Sequence, residues 1–450
     1  MSRMLRFIHA ADLHLDSPLR GLQTLPDVLQ ERLEQGVFRA WDRLVDLAIQ
    51  VEADAVLLSG DLHDSTHRSL RAVWRLERGM KRLSDKGIAV FIIHGNHDPL
   101  TEEDTWSWPS GVTVFGTDKP SCHLIYNRSG KPVAVVTGMS YGQKAVYDNI
   151  VMHYPEQPEH HAKEHQLQVV GSMDDGNVMP SSERLYRIGM LHGTVDGRAE
   201  HDPYAPCSRG DLIRKGYDYW ALGHIHKREV IQEQPYIVYA GNIQGRHIKE
   251  KGAKGVYVVD VLEDGATELV FHPLDDVRWF DESLSLQMIE TKQDLLEAMF
   301  ALVEEVRGTD RLSCVRLTLT GSSELHTELK RGRLAIELEE AWREAERLRL
   351  EEGLDAVWPI QLRVHSQAVV DMAAWRESES FAGELIRMTD IVCESDDAVE
   401  ELIQEALLTL GGNLKLQQWL GSQPVEVRRK WLEEALIVAV DMLQGEEQLT

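Results

Sequence analysis

Five segments of this chain place polar side chains just after a short apolar run that is typical of a buried strand. The runs are LRFIHA, AVLLSG, VFIIHG, RIGML and YWALG, and small or polar residues follow each one. The side chains that follow them are carboxylates, imidazoles and one amide: Asp12, His14, Asp61, Asn96, His97, Asp98, His192, His224 and His226. Because ligands collect outside the carboxyl ends of strands in open α/β sheets, one parallel arrangement would bring all five segments together.

Helical patterns separate these runs through roughly the first 275 residues. Amphipathic stretches occupy positions 27–52 and 66–85, and apolar runs of four to eight residues lie between them. Strands that alternate with helices predict a layered α/β domain in which helices cover the faces of the sheets. Positions 155–184 are polar and contain turn-forming residues, which predicts a long loop or insertion there.

The pattern changes after residue 275. Thr291 and Asp294 have the spacing of a capping box, which predicts a helix that ends near Arg307. Residues 315–319 and 360–365 alternate between apolar and polar, as half-buried strands do, and a long charged helix is predicted over 326–352. Only helical patterns follow residue 376. The predicted regions are an α/β domain, a small α+β domain and a helical region, at 1–275, 276–375 and 376–450 respectively.

The charge of the chain argues at first against a nucleic-acid substrate. The formal net charge is −26, but residues 281–450 contribute 35 of the 74 acids and only 17 of the 48 bases. Residues 281–450 thus carry a net charge of −18, so most of the negative net charge lies in the C-terminal part. No apolar run approaches the roughly 20 residues that cross a bilayer, so no membrane association is expected. The four cysteines are far apart and form no C-x-x-C pair, which favours a reducing, cytoplasmic location.

The donor types in the five segments indicate a metal site. Imidazole together with carboxylate suits Mn, Fe, Zn or Ni better than Ca or Mg. So many donors are most simply explained by two ions that share one carboxylate. Two ions roughly 3.5–4 Å apart can hold phosphoryl oxygens and generate a nucleophile from water near neutral pH. Each motif alone is explained by turn chemistry or chance, and the metal interpretation depends on all five motifs occurring in order.

The complete pattern resembles the calcineurin-like metallophosphoesterases. It consists of D-x-H at 12–14, G-D at 60–61, G-N-H-D at 95–98, the histidine at 192 and G-H-x-H at 223–226. Within that superfamily, the start of the chain and the segment at 239–261 resemble the bacterial DNA repair exonucleases of the SbcD and YhaO type, the YhaO group most of all. The resemblance implies a four-layer α/β/β/α core, followed by a capping domain and C-terminal helices.

The same resemblance implies a role for each motif residue. The first metal ion would be held by Asp12, His14, Asp61 and His226. The second would be held by Asp61, Asn96, His192 and His224, with Asp61 bridging the two ions. His97 would contact the scissile phosphate and assist the leaving oxygen, and Asp64 is expected to orient His97 through a hydrogen bond. His63 and His94 adjoin the motifs and are not assigned a role.

Two groups of basic residues are candidates for substrate binding. Arginines recur at intervals of three and four residues along the helix predicted over 66–85, and form one stripe: Arg68, Arg71, Arg75, Arg78 and Arg82. A row of guanidinium groups suits a phosphate backbone, and a solvated helix face explains the stripe equally well. Arg246 and His247 lie in the segment that the resemblance places beside the site, and they are also expected to meet substrate. A purely structural role explains them equally well.

Three classes of function remain compatible with these residues. They are a DNA nuclease, a phosphoesterase for a small-molecule or protein phosphoester, and a binding scaffold. The complete ligand set disfavours the scaffold, and the long C-terminal part disfavours a minimal phosphatase. The prediction is a two-metal DNA exonuclease or phosphodiesterase that uses manganese in DNA repair. The resemblance further implies an SbcC-like ATPase partner and a homodimer.

Overall fold

A computed structural model describes residues 2–20, 25–64, 69–101, 107–163, 184–197, 202–369, 372–409 and 414–447. Strands and α-helices are numbered separately in chain order. One sheet contains six strands: β1 (Arg3–Ala10), β2 (Ala55–Ser59), β3 (Ala89–Ile93), β4 (Val112–Val114), β12 (Gly255–Leu262) and β13 (Thr267–Pro273). Their spatial order is β13-β12-β1-β2-β3-β4. Strands β1 to β4 run parallel to one another, so the chain leaves β1, β2 and β3 at the same edge.

The second sheet contains seven strands: β5 (Ser121–Tyr126), β6 (Pro132–Gly138), β7 (Ala162–Lys163), β8 (Tyr186–His192), β9 (Tyr219–Gly223), β10 (Glu229–Glu233) and β11 (Tyr236–Tyr239). Their order is β10-β11-β9-β8-β6-β5-β7. The adjacent strands β6, β8, β9 and β11 run parallel to one another. Strands β8 and β9 therefore also end at a common edge.

Alternating side chains on these strands form separate apolar layers. Phe7 of β1 packs with Tyr219 of β9 in the cluster between the two sheets. Ile8, the next residue of β1, faces the other way and joins the cluster that contains Trp41. Trp41 belongs to helix α1 (Asp27–Gln50), which packs with helix α2 (Leu70–Ser84) on the first sheet. Helix α3 (Arg209–Arg214) contributes Leu212 to a cluster on the outer face of the second sheet. The predicted α/β/β/α fold is confirmed.

The helices predicted at 27–52 and 66–85 correspond to α1 and α2. Ser69 caps α2, because its hydroxyl accepts a hydrogen bond from the backbone N–H of Ala72 at 3.1 Å. The start of the second predicted helix, including Arg68, lies outside the described residues. The same is true of 164–183 in the predicted loop at 155–184, while Pro158–His161 forms a short 3₁₀ helix.

The chain divides into two compact units. The first comprises Met1–Asp281, Val306–Val315 and Glu346–Ile360, and the second comprises Glu282–Glu305, Arg316–Ala345 and Gln361–Thr450. A three-stranded sheet has the order β14-β15-β16 and consists of β14 (Val277–Ser285), β15 (Leu312–Ser322) and β16 (Val357–Gln367). The predicted domain boundaries at 275/276 and 375/376 stay predictions.

The later helices are α4 (Lys292–Glu305), α5 (His326–Lys330), α6 (Arg333–Glu351), α7 (Met372–Glu377), α8 (Phe381–Cys393), α9 (Asp396–Thr409), α10 (Leu414–Gly421) and α11 (Val425–Glu447). The predicted capping box opens α4, since Thr291 Oγ1 accepts from Asp294 N and Asp294 Oδ2 accepts from Thr291 N, both at 3.1 Å. The helix predicted over 326–352 is two helices, because Gly332 between them has a positive φ of 82° that an α-helix excludes. No described helix is both long and apolar enough to span a membrane.

Candidate metal centre

The loops after five strands meet at one edge of the two sheets. The loop after β1 is joined to the loop after β2 by backbone hydrogen bonds, from Asp12 N to Gly60 O and from His14 N to Asp61 O, both at 3.0 Å. The loop after β9 joins them, because the backbone N–H of His224 donates to the Asp12 carboxylate at 3.1 Å. Parallel strand ends thus bring residues together that lie up to 212 positions apart in the chain.

The backbone at this edge is unusual. Four of the seven predicted ligands have the left-handed φ that side-chain-bearing residues rarely adopt: Asp12 (51°), His14 (43°), Asp61 (52°) and His224 (93°). Such conformations cost free energy and concentrate at functional sites, where the surrounding structure holds them. The buried loops here therefore hold ligand side chains in directions that a relaxed backbone would not give.

The glycines of two motifs are required by close approach. A Cβ atom on Gly95 would lie 2.4 Å from Asp61 Oδ1 and 2.6 Å from His192 Nε2. A Cβ atom on Gly223 would lie 1.9 Å from the carbonyl oxygen of Ser59. All three distances are below any van der Waals contact. The glycines thus allow donor groups from four strand ends to crowd into one small volume.

The first cluster of donors contains Asp12, His14 and His226, whose potential ligand atoms all lie within 4.8 Å of one another. The Nε2 atoms of His14 and His226 are 3.1 Å apart. Asp61 Oδ2 lies 3.7 Å from His14 Nε2. Two imidazole nitrogens that face each other beside two buried carboxylates have the donor chemistry of a divalent metal site.

The second cluster lies on the other side of Asp61. His192 Nε2 and His224 Nδ1 are each 3.1 Å from the side-chain oxygen of Asn96. Asp61 Oδ2 is 3.4 Å from His192 Nε2. Asp61 thus borders both clusters, which is the arrangement expected of a bridging carboxylate. The residues of the two clusters fit two divalent ions, and all seven predicted ligands lie in them.

Hydrogen bonds fix which ring nitrogen faces the centre. His192 donates from Nδ1 to the carbonyl oxygen of Ser59 at 2.8 Å. His224 donates from Nε2 to the carbonyl oxygen of Asp202 at 3.1 Å. His226 donates from Nδ1 to Glu250 Oε1 at 2.7 Å. Each ring therefore turns its other nitrogen towards the centre, as metal-binding histidines generally do.

The buried charges at this edge perturb one another. Burial alone would raise the pKa of Asp61, but the neighbouring His192, which also hydrogen-bonds to it, and His14 hold that pKa well below its usual value. Burial opposes the charged form of His192, yet Asp61 and then Asp12 raise the pKa of His192 to about 9. Burial raises the pKa of Asp12. An ion that takes Nε2 of His192 as a ligand must therefore displace a proton from it.

His97 stands at the mouth of this centre. Its backbone N–H donates to Asp61 Oδ1 at 2.9 Å, and its ring packs edge-on against His14 with centroids 4.9 Å apart. Its Nδ1 lies 3.5 Å from Asp64 Oδ1. The His97 side chain is 40% exposed, whereas His14 and His192 are buried. His97 can thus reach a substrate, with Asp64 beside it.

Comparison with known proteins gives the family. The profile described as "Calcineurin-like phosphoesterase" matches residues 5–228, and that of the metallophosphoesterase YhaO middle domain matches 279–367. The uncharacterized metallophosphoesterase YhaO of Bacillus subtilis (strain 168) is 37% identical over 366 residues, which cover 80% of this chain and 81% of that protein. The chain belongs to the calcineurin-like metallophosphoesterases. It is accordingly a phosphoester hydrolase of a family that uses a dinuclear divalent metal site.

The arginine stripe of this metallophosphoesterase contacts helix α1. Arg75 pairs with Asp42 at 2.7 Å and Arg82 pairs with Asp46 at 2.6 Å. The guanidinium of Arg71 lies 4.6 Å from the centre of the Phe38 ring. These contacts give the three arginines a role in packing α2 against α1. Substrate binding by Arg71 and Arg75 stays a prediction, and Arg68 lies outside the described residues.

Glu250 is a residue of the centre that the motifs did not indicate. Its Oε1 accepts from His226, and its Oε2 accepts from Arg246 N at 2.7 Å and from Asn242 Nδ2 at 3.0 Å. Burial opposes its ionisation, but the hydrogen bond and the electrostatic interaction with His226, together with the positive charge of Arg246, lower the pKa of Glu250. In the sequence, Glu250 is marked only by its position four residues after Arg246, within the segment at 239–261 that resembles the nuclease family.

We expect Glu250→Gln to weaken binding of the ion at the first cluster by about 10–100-fold. A glutamine amide has one acceptor oxygen, so it cannot accept from His226 and also from Arg246 and Asn242. Calorimetric titration of the metal-free protein with Mn²⁺ measures the effect, and Glu263→Gln, at an exposed position, is the matched control. Wild-type affinity at both sites in Glu250→Gln would contradict this role.

Asp98 is the second residue whose role the motifs left open. Its buried carboxylate accepts from the backbone N–H groups of Gly95 at 2.8 Å, Leu62 at 2.9 Å and Asp61 at 3.2 Å. It thus ties the G-N-H-D loop to the G-D loop. His94 Nδ1 also lies 2.8 Å from the Asp98 carbonyl oxygen and His63 Nδ1 is 3.9 Å from its carboxylate, which gives both histidines structural contacts here.

We expect Asp98→Ala to lower the free energy of unfolding by about 3 kcal/mol or more, because three buried donors lose their acceptor. Urea unfolding of the metal-free protein measures this loss, with the exposed Asp118→Ala as control. If the two variants unfold at the same urea concentration, Asp98 does not hold the loops together.

Proposed function

We propose that this metallophosphoesterase hydrolyses phosphodiester bonds of DNA as an exonuclease that uses two manganese ions. The observation that carries the proposal is a pocket of about 180 Å³ beside His97, with Arg20, Arg246 and His247 in its lining. Basic groups concentrate at this point although the chain has a net charge of −26. A local basic pocket next to a metal centre suits a polyanionic substrate.

In the proposed reaction, the two ions and three side chains have separate roles. Two bound divalent ions supply charge neutralisation for a phosphoryl group and a nucleophile derived from water. Arg246 lies beside the centre, with Nη2 3.4 Å from His226 Nδ1, and meets the negative charge of the substrate. His97 gives a proton to the leaving oxygen, and Asp64 holds the ring in position. Mixed imidazole, carboxylate and amide donors are compatible with manganese.

The proposal includes partners. The resemblance of the motifs to nucleases of the SbcD and YhaO type supports an SbcC-like ATPase as partner, a homodimer and a task in DNA repair. The four separated cysteines support a cytoplasmic location. Size-exclusion chromatography with light scattering tests the dimer. Co-purification with an ATPase of that type, expressed together with this chain, tests the complex.

The decisive experiment incubates the purified protein with end-labelled linear single- and double-stranded DNA, with and without Mn²⁺. Asp61→Asn serves as the inactive control. Mn²⁺-dependent shortening from the ends that is absent from the control supports the exonuclease. Turnover of a chromogenic phosphodiester without cleavage of DNA, also in the presence of the ATPase, would favour the alternative, a phosphoesterase for a small-molecule or protein phosphoester.

A further inference from the structure

The pocket beside His97 is distinct from the metal centre that it borders. Its lining consists of Ser17, Pro18, Arg20, Asp64, His97, Arg246 and His247. None of the seven predicted metal ligands is in that lining. His97 and Asp64 are the residues that the pocket shares with the catalytic assignment. A group that sits in this pocket therefore lies next to His97, the residue to which the proposed function assigns protonation of the leaving oxygen.

Three polar atoms of the lining residues are buried without a hydrogen-bond partner: Ser17 Oγ, Arg246 Nε and His247 Nδ1. Ser17 as a whole is 5% exposed. An unsatisfied buried polar group typically costs about 1–3 kcal/mol, so a cluster of them in one pocket requires an explanation. A hydroxyl and a guanidinium are donors, and Arg20 and Arg246 add positive charge. The matching ligand carries several acceptor oxygens and negative charge.

The pocket is also held in place by its surroundings. The backbone N–H of Arg246 donates to the Glu250 carboxylate. The backbone carbonyl oxygen of Arg246 accepts from Arg20 N at 2.8 Å. The backbone N–H of Ser17 donates to the carbonyl oxygen of the metal-ligand candidate His14 at 3.0 Å. These contacts connect the lining directly to the metal centre and fix the spacing of its donors before a ligand arrives, which reduces the cost of binding.

We propose that this pocket binds a second phosphate, the one next to the scissile phosphate on the leaving-group side of a polynucleotide. This inference rests on the proposed function and specifies its substrate. Ser17, Arg246 and His247 supply the contacts to the phosphate oxygens, and Arg20 adds charge at the exposed rim. The pocket thereby selects a chain with consecutive phosphates over a single phosphoester.

The first arm of the test needs no activity. The metal-free protein in EDTA is titrated with inorganic phosphate and followed by calorimetry. We expect measurable binding that Arg246→Gln weakens by about tenfold or more and Ser17→Ala by a smaller factor. Arg246→Lys keeps the charge but has no Nε, and it is expected to bind more weakly than the wild type. Arg333→Gln, which removes the same charge from the exposed start of α6, is the control. Equal phosphate binding by wild type and Arg246→Gln would overturn the proposal.

The second arm uses the Mn²⁺-loaded protein and three dinucleotides: TpT, pTpT and TpTp. The dinucleotide that carries its extra phosphate on the leaving-group side is expected to have a kcat/KM about tenfold higher than that of TpT. The other phosphorylated dinucleotide is expected to match TpT. In Arg246→Gln, the ratio of kcat/KM between the favoured dinucleotide and TpT is expected to fall towards one. Equal kcat/KM for all three would overturn the assignment to a polynucleotide, and the pocket would then be a site for free phosphate. If no dinucleotide or DNA is cleaved, the proposed nuclease function fails, and the first arm still decides whether the pocket binds phosphate.

Discussion

Asp61→Asn is expected to remove both metal ions from the protein and to lower phosphoester hydrolysis by about a thousandfold or more. Asp61 is the carboxylate that borders both donor clusters, with Oδ2 at 3.7 Å from His14 Nε2 and 3.4 Å from His192 Nε2. An asparagine keeps Oδ1 as the acceptor for His97 N but replaces Oδ2 by an uncharged NH2 group, which has no lone pair available for a cation. The substitution is therefore expected to reduce metal binding while the hydrogen bond that holds the loop of His97 is kept.

Metal content after gel filtration, measured by mass spectrometry, tests this prediction together with turnover of a chromogenic phosphodiester. Asp46→Asn on the exposed side of α1 is the matched control and should keep both ions. Asp61→Ala should behave like Asp61→Asn. Two ions per chain in either Asp61 variant would show that Asp61 does not bridge.

The convergence of the predicted ligands was predictable within each sheet, because it depends on strand order and polarity. Each predicted ligand follows an apolar run, and the parallel strands β1, β2 and β3 end at one edge of the first sheet, as β8 and β9 do in the second. The packing of the two sheets, which aligns these edges, could not be derived from the apolar runs. His192 shows the contribution of sheet packing, because it ends β8 of the second sheet while Asn96 follows β3 of the first. It is a single histidine after RIGML without a motif of its own, yet it lies 3.1 Å from Asn96, 96 residues earlier in the chain.

The contacts that support the ligands were not predictable in the same way. Glu250 acts through His226, and this pairing depends on where the chain returns after β11, for which the sequence offers no periodic signal. For the arginine stripe, the sequence predicted the positions of the side chains but not their partners. The spacing of Arg75 and Arg82 placed them on one helix face, but only the packing of α2 against α1 brings Asp42 and Asp46 to that face.

The second large effect is expected for His97→Ala, which should lower kcat by about 10²–10³-fold while both ions stay bound. His97 is outside the predicted ligand set, and its link to Asp61 runs through its backbone N–H, which alanine retains. What the substitution removes is the half-exposed ring at the mouth of the centre. Asp64→Asn should produce a smaller loss, because Asp64 acts by positioning that ring at 3.5 Å.

The dependence on the leaving group separates proton donation by His97 from a role in binding. A 4-nitrophenolate leaves without protonation, whereas a nucleoside alkoxide needs a proton. His97→Ala should therefore impair cleavage of a dinucleotide far more than cleavage of a 4-nitrophenyl phosphodiester. The exposed His160→Ala is the control and should match the wild type on both substrates. Equal losses on the two substrates would contradict proton donation, because a residue that only binds the phosphate affects both alike. Full activity of His97→Ala on the dinucleotide would remove His97 from the mechanism altogether.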